Sequence, residues 1–484
     1  MITYQDFLQV GDREEDRMSF IRSAIKQYTS SDFYKTARIA EEYDRKQNPD
    51  IRNFSKYLYT ASGRKVPDTY SSNYKVGRAF FPFFVVQEVQ YLLSNGATWE
   101  SGDTKDKLGT KRFEFDTQLQ ELAHNALVGG VSYGFWNADH IDAFTCTEFL
   151  PMPDEENGSL RAGIRWWQID STKPLRATLY EEDGYTDYIW DDRDEAGNVN
   201  SGGRILREKR AYKITSIRTE VDGDIIYKGE NYPSFPIVPM WGNKKHQSEI
   251  VGLREQIFVY DAIKSGFCNS VEEASYVFWA IQNAPGMDDI DLATFLERVR
   301  KNHIAKTVDA GSTAEPHIIE TPYQSREALL DRLEKDIYKD AMAFDPEHVA
   351  SGAATATEIR AAYNPLDLKT NDFEFCVRKF INGILDLAGI EDSPTFTRDR
   401  NINTAEEIQT IMSASTALDG EYVTKKILTL LGDGDQAEEI IRRMIADEVT
   451  RTQELNDVTD YANAGGQEGG DLSGENPGSG RNRN

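Results

Sequence analysis

Histidine is the side chain best suited to metal or proton chemistry at neutral pH, and this chain has six: His124, His140, His246, His303, His317 and His348. No two stand at i and i+4, so no helix presents a paired ligand set, and structural or surface roles are expected for all six. The three cysteines, Cys146, Cys268 and Cys376, lie far apart without CxxC spacing, which suggests neither a disulfide framework nor a zinc site. Gly432-Asp-Gly-Asp435 resembles the start of a calcium loop, but Ala437 stands where the third ligand belongs and the later bidentate Glu is missing. A turn between helices is the better reading. Gly129, Gly130 and Gly134 have the wrong spacing for a dinucleotide fingerprint and follow a helix instead of a strand, and no Walker pattern occurs. Four tryptophans, Trp136, Trp166, Trp167 and Trp190, could stack on sugar rings beside a carboxylate pair. Nothing singles out such a pair, and Trp at strand spacing is ordinarily core. The chain does not read as an enzyme, and no cofactor is implied.

Bulk properties narrow the class further. The 484 residues are 39% hydrophobic and 11% aromatic, enough for a large core and for two to four structural units. With 55 basic against 81 acidic residues, the formal charge of -26 excludes a protein that grips nucleic acid along a broad basic surface. It leaves room for a channel through which DNA slides. No apolar run is long enough to span a bilayer, and the N-terminal residues lack the pattern of a signal peptide, so a soluble protein of a reducing cytoplasm is expected.

Hydrophobic periodicity divides the chain. Up to about residue 127 it predicts helices, with amphipathic runs near Phe20 to Tyr28, Val85 to Leu93 and Phe115 to Leu127, the last closed by Gly129-Gly130 as a C-cap. The stretch from Val131 to Tyr227 alternates and predicts a half-buried antiparallel sheet. Phe235-Pro-Ile-Val-Pro-Met-Trp-Gly-Asn243 reads as an extended linker because of its prolines. A long helix is then expected from Glu249 to Ala274, with Ile250, Leu253, Ile257, Tyr260, Phe267 and Val271 on one stripe broken by Lys264.

Residues 276–322 read as a small α/β insert: a strand at Tyr276 to Ile281, a helix near Asp289 to Lys301, and strands near Ala305 to Val308 and His317 to Glu320. A second amphipathic helix is predicted over Ser325 to Phe344, carrying Leu329, Leu333, Ile337 and Ala341. Two struts thus bracket the insert. Asp345 to Ala354 is a loop of small residues, after which Thr355 with Glu358 opens a helix that Pro365 must kink. A helical bundle over Thr404 to Glu454, and a polar tail beyond Thr459 that should be disordered, complete the chain.

This order resembles the portal proteins of tailed phages, particularly the branch found in long-tailed phages of Gram-positive bacteria. The residues that carry the resemblance are Pro236-Ile-Val-Pro-Met-Trp-Gly-Asn243, the stretch Ile250 to Ile263 with Tyr260-Asp261-Ala262, Leu333-Glu-Lys-Asp-Ile-Tyr338, and Ala350 through Ile359. The single Asn after the proline strand and the inserted Phe-Pro within Phe80 to Phe84 depart from the common pattern.

The resemblance implies an α+β, mainly helical portal fold with wing, stem, clip and crown, assembling as a ring around a central channel. It makes 1–248 the wing, 249–275 and 325–344 the stem helices, 276–324 the clip and 345–356 the tunnel loop. A kinked wing helix follows over 357–399, then the crown over 400–458 and the tail over 459–484. It implies a DNA-facing loop of Asp345, Glu347, His348, Val349, Ala350, Ser351 and Gly352. Stem packing between subunits would fall to Leu253, Ile257, Tyr260, Leu329, Leu333 and Ile337, and docking by the clip to Trp279, Phe295, Ile304 and Ile318. The implied partners are further copies of the chain in a ring of twelve, double-stranded DNA, the packaging terminase, head-tail connector proteins, and major capsid and scaffold proteins. The implied place is the capsid vertex of the virion, after assembly in the host cytoplasm. A channel-less capsid adaptor is the alternative, and the two struts around an insert speak against it.

Overall fold

The computed structural model describes residues 2–59, 62–69, 71–170, 172–191, 203–219, 225–274, 278–282, 294, 297, 313–317, 323–346, 356–398, 408, 411–415, 418–431, 434, 437–447 and 450. Two compact units emerge: Met1–Ala353 with Ala361–Arg400, and Ala354–Arg360 with Asn401–Asn484.

The helical opening consists of α1 (Tyr4–Leu8), α2 (Glu14–Thr29), α3 (Asp32–Asp44), α4 (Pro49–Arg52), α5 (Phe80–Leu93), α6 (Thr104–Leu108) and α7 (Phe115–Gly129). Periodicity did not reveal the hairpin inside it, β1 (Tyr57–Tyr59) with β2 (Lys65–Pro67), because three-residue strands are too short to show alternation. Pro82 sits in the first turn of α5, where its missing N–H costs nothing. The expected cap of α7 is present: Gly130 has φ +92° and returns its N–H to the Ala126 carbonyl at 2.8 Å.

The alternating region is antiparallel, as expected, but it forms several sheets. A five-stranded meander has the order β10-β9-β8-β7-β6, with β6 (Phe149–Pro153), β7 (Leu160–Trp167), β8 (Leu175–Glu181), β9 (Gly184–Trp190) and β10 (Arg204–Arg210). One of its faces is closed by Phe7 of α1 and by Ile21, Ala24 and Ile25 of α2. The hairpin β11 (Lys213–Thr219) with β12 (Ile225–Glu230) is separate. A third sheet, β13-β4-β5, pairs β4 (Val131–Trp136) with β5 (Ile141–Thr145) and β13 (Ile237–Trp241).

The proline-rich linker is therefore a strand. It is an edge strand, which is how it tolerates proline. Trp136 N–H donates to the Pro236 carbonyl at 2.9 Å and Gly242 N–H to the Gly130 carbonyl at 3.1 Å, so even-numbered residues of β13 carry the ladder. Pro239 turns its nitrogen to the open side and removes no bond.

The first strut is shorter than the stripe suggests, since α8 (Arg254–Ala274) begins five residues late, after a turn with Gly252 at φ +88°. Strands β14 (Phe278–Gln282) and β15 (Thr313–His317) pair antiparallel within the insert, so β15 ends at His317, where the last predicted strand was to begin; of the predicted helix only residues 294 and 297 are described, both helical, and the strand near Ala305 lies outside the described residues. The second strut, α9 (Tyr323–Asp340), is followed by α10 (Ala356–Ala388), one 33-residue element with Pro365 inside it. The short strands β3 (Ala97–Thr98) and β16 (Thr395–Phe396) tie the end of this unit back to its opening. In the second unit α11 (Gly420–Leu431) and the helical residues 437–447 bury Val423, Ala437 and Ile441. The polar tail and most of Gly432 to Asp435 lie outside the described residues.

The main core gathers α3, α5, α7, α8, α9 and α10 around Phe81, Leu122, Ile257, Ile337, Phe373 and Phe380. Trp136, Trp166 and Trp190 are buried and Trp167 is 37% exposed, so the tryptophans do not form a platform of open indole faces. Gly130 tolerates no side chain easily, since a Cβ there would meet the Gln247 backbone at 2.9 Å in addition to the strain of positive φ. Gly130→Ala should lower the unfolding free energy by about 1–3 kcal/mol, read from the denaturant midpoint.

Candidate functional site

The two struts pack antiparallel. Tyr260 donates its hydroxyl to Glu334 at 3.0 Å, Gln256 its amide to Asp340 at 2.5 Å and Arg326 its guanidinium to Ser270 at 2.8 Å. The rings of Phe267 and Tyr323 meet edge to face at 5.4 Å. Burial beside Glu334 raises the Tyr260 phenol to about 12, so it stays a donor.

Of the six side chains expected to pack between subunits, Leu253, Ile257, Tyr260 and Ile337 are buried within the single chain, Leu333 is half-buried against the same core, and Leu329 is 47% exposed. A side chain without exposed surface in one chain has none to offer a neighbour. The inward face of α9 runs through Leu330, Leu333 and Ile337, with Ala341 just beyond its end, so the expected stripe holds except that Leu330 takes the place of Leu329. On α8 the apolar stripe ends early: Val271 is 46% exposed, and Lys264 lies 5.7 Å from the Tyr260 ring.

What replaces the stripe is polar. Asp261, Ser265 and Asn269 stand four residues apart and are all buried. They accept backbone N–H groups of the preceding segment: Arg78 N–H to Asp261 at 2.8 Å, Val76 N–H to Ser265 at 3.0 Å and Tyr74 N–H to Asn269 at 2.7 Å. Every fourth side chain of the helix thus meets every second amide of an extended strap. Asn48, held at φ +35°, donates to Asp261 at 2.6 Å and to the Arg78 carbonyl at 3.0 Å. Burial raises the Asp261 carboxyl to about 6, against the pull of Asn48 and the Arg78 amide. At the start of α8, Arg254 forks onto Asp50 with two bonds of 2.7 Å, and Tyr43 donates to the same carboxylate at 2.8 Å. The Arg254 fork holds Asp50 below its usual range.

Where α5, α10 and the turn before α8 meet, Lys369 lies between Glu88 at 2.8 Å and Glu249 at 2.9 Å. Burial works against the ammonium, yet the two carboxylates outweigh it and raise its pKa. Burial also raises Glu88, with Lys369 opposing. Asn243 completes the group by donating to Glu249 at 2.8 Å and to the Gln247 carbonyl at 2.8 Å. This cluster floors a cleft of about 510 Å³ rimmed by Lys245, Asp340, Met342 and Asp372.

The expected DNA-facing loop begins from a fixed point. Gln87 of α5 binds both backbone groups of Phe344, each at 2.9 Å, and the Phe344 ring stacks on Tyr363 of α10 at 4.1 Å and 6°. Asp345 follows, half-buried, while Glu347, His348, Val349, Ala350, Ser351 and Gly352 lie outside the described residues. Of the clip positions, Trp279 belongs to β14, where it pairs with Pro316, and Phe295, Ile304 and Ile318 lie outside the described residues.

The histidines occupy separate places. His124 contacts Asp44 at 3.1 Å, His140 contacts Asp139 at 2.7 Å, and His246 stacks on Trp241 at 3.7 Å. Among the described residues no group of His, Cys, Asp and Glu could hold a metal ion, and no helix is long and apolar enough to cross a membrane.

An antiparallel helix pair on either side of a short strand pair is thus the centre of the larger unit, and the match to known proteins gives the class: the chain belongs to the phage portal protein family. Within that class the matched description is "Phage portal protein, SPP1 Gp6-like", over residues 37–452. It is 24% identical to the portal protein of Bacillus phage SPP1 over 407 residues, covering 76% of this chain and 75% of that protein. It is 26% identical over 270 residues to the portal protein of Clostridium phage phiCD119, covering 54% of this chain and 58% of that one. Among solved structures, the neck of a native GTA particle computed with C12 symmetry has a TM-score of 0.41 at 12% identity, covering 71% of this chain and 87% of that one.

The strap acceptors, the Lys369 cluster and the Gln87 clasp were not singled out in the sequence. Only the first had a legible signal, a polar D-x-x-x-S-x-x-x-N row at helical spacing inside a helix otherwise apolar on its buried side. Lys369→Met should cost about 3–5 kcal/mol at pH 8 by leaving the buried Glu88 and the half-buried Glu249 without a cation. Losing the ammonium raises the folded-state Glu88 carboxyl further above its unfolded value of about 4.3, so the cost is absent below that value, grows as pH rises from the unfolded to the folded value, and is complete above the folded one. Denaturant unfolding of the variant and the parent at pH 4.5 and pH 8 should show the gap widening with pH.

Proposed function

We propose that the chain forms a closed ring around a channel for double-stranded DNA at one capsid vertex, serving genome packaging and later ejection. The observation that carries this reading is the family match over residues 37–452 together with an antiparallel helix pair that brackets two paired strands and is followed by the clasped Phe344. In this reading 1–248 with 357–399 is the wing, 249–275 and 325–344 the stem, 276–324 the clip, 345–356 the tunnel loop and 400–458 the crown. The clip meets the packaging terminase first and the head-tail connector proteins afterwards, while capsid and scaffold proteins contact the outer parts. The chain acts in the virion after assembly in the host cytoplasm, and its role is structural, with no catalytic residue assigned.

A ring needs a heterologous surface, one patch meeting a different patch on the next copy. Since most of the inward stripe is used within the chain, exposed apolar side chains of the struts such as Val259, Val271 and Leu329 are the ones left for neighbours. The acidic excess of the chain suits passage of DNA, because a wall that neutralises few phosphates adds little salt-dependent friction.

Light scattering on purified protein should give a mass of about twelve chains, the closed cyclic assembly expected of head-to-tail contacts. Leu329→Asp should reduce ring yield and leave the fold intact, whereas Ile337→Asp should lower stability by several kcal/mol through an unpaired buried charge. A stable monomer at micromolar concentration would refute the ring. Glu347→Lys tests the loop: rings carrying it should package DNA more slowly at low salt, and the deficit should shrink as salt rises. Wild-type packaging rates under those conditions would exclude a DNA-facing loop.

A further inference from the structure

Charge is distributed unevenly along this chain. Residues 45–78 hold eight Lys and Arg against two Asp, in a protein whose formal charge is -26. The same stretch carries the hairpin β1/β2, whose three residue pairs are extended by one bond from Asp68 N–H to the Lys56 carbonyl at 2.9 Å. Isolated two-stranded hairpins are marginal in water. This one also exposes large apolar side chains: Tyr57 by 48%, Leu58 by 45% and Tyr59 by 74%, with Phe54 and Tyr74 open at its base.

Its base is firmly held. Phe54 meets Phe258 of α8 at 5.8 Å on one side, and on the other the strap amides of Tyr74, Val76 and Arg78 are bound by the same helix. Lys56 donates to the Ser72 carbonyl at 2.6 Å, closing the base from within. The arm is therefore a basic and aromatic element held to the first strut, with Tyr59 left largely uncovered among the described residues.

We propose that the β1/β2 arm docks on an acidic surface of a second copy of this chain, its tyrosines and Leu58 forming the buried centre and Arg64 and Lys65 the charged rim. The inference rests on the ring reading for the presence of a neighbour, but the partner is chosen by chemistry. Tyrosine and arginine are enriched in protein interfaces, and a central apolar patch with a charged rim is their usual anatomy. A second copy supplies the complementary charge, because the acidic excess of the chain lies outside this stretch. Double-stranded DNA fits less well: its stacked bases offer Leu58 and the exposed rings of Tyr57 and Tyr59 little apolar surface, and the acidic excess of the rest of the chain repels phosphate.

The test uses full-length chain with two sets of substitutions, Tyr57→Ser/Leu58→Ser/Tyr59→Ser and Arg64→Glu/Lys65→Glu, each checked for an unchanged circular dichroism spectrum and melting temperature. Sedimentation velocity across protein concentration and from low to high salt reads assembly, and a photoreactive side chain placed at Tyr59 reports the partner by cross-linking. The expected result is a concentration for half-assembly raised at least about tenfold by either set, equal to about 1.4 kcal/mol per contact. The charge-reversed set should lose most of the salt dependence of assembly, and the Tyr59 probe should cross-link to another copy. Rings formed by both sets as readily as by the parent would overturn the arm contact alone. A monomeric parent would overturn the ring reading and this docking with it. Normal rings that lose retention of a DNA duplex in a mobility shift would reassign the arm to nucleic acid and reject a second copy.

Discussion

The ammonium of Lys369 is the constraint around which the larger unit is arranged. It is enclosed between Glu88 on α5 and Glu249 in the turn before α8, and it projects from α10, so three elements distant in sequence must converge for any of these charges to be tolerable. Breaking such a group is far more costly than omitting it from the start, because the remaining charge keeps its desolvation and loses its attraction. The geometry around it follows. Asn243 at the end of β13 orients Glu249, which ties the sheet to the helix that succeeds it, and the close approach of Gly242 to the Ala126 carbonyl leaves no room there for a side chain. In this way the cluster holds the turn that leads into the first strut.

Much of the architecture was legible because burial of apolar residues follows the period of the element. The helices α5 and α7, the Gly130 cap, the antiparallel sheets and the two struts all emerge from spacing alone. The failures have a common cause, which is that periodicity reports which residues avoid water but not what they touch. It could not tell that the Ile257 and Ile337 faces are consumed inside one chain, nor that the proline segment lies at a sheet edge, because both depend on partners more than a hundred residues away. At the start of α9, Leu329 and Leu330 are both leucine and stand four and three residues before Leu333, so spacing alone could not tell which of them is buried.

Polar structure was the least legible layer. Lys369, Glu88, Gln87 and Asp261 are residue types that ordinarily mark a solvated face, and only the fold reveals that each is enclosed and matched. The Gln87 clasp on Phe344 shows what such matching achieves: the backbone N–H and C=O of one residue, which belong to the two peptide units on either side of its Cα, are both held by one side-chain amide while its ring stacks on Tyr363. The scaffold is thereby rigid up to the residue before the loop. Loops positioned by rigid supports are where large assemblies concentrate their function.

The strap on α8 has a consequence of its own, which comes from two rulers that almost agree. Four residues of helix advance about 6.0 Å, and two residues of extended chain advance about 6.6 Å, so successive contacts drift apart by roughly 0.6 Å each. Centred on Val76 and Ser265, the drift at Tyr74 and Arg78 is still within what a side chain can absorb, and those bonds remain at 2.7 and 2.8 Å. The pairing works as a vernier whose drift is smallest at its centre, and toward the start of α8 the residues themselves end it: the next mark would set Phe80, where the strap has turned into α5, against Ile257, a buried side chain with no acceptor to offer.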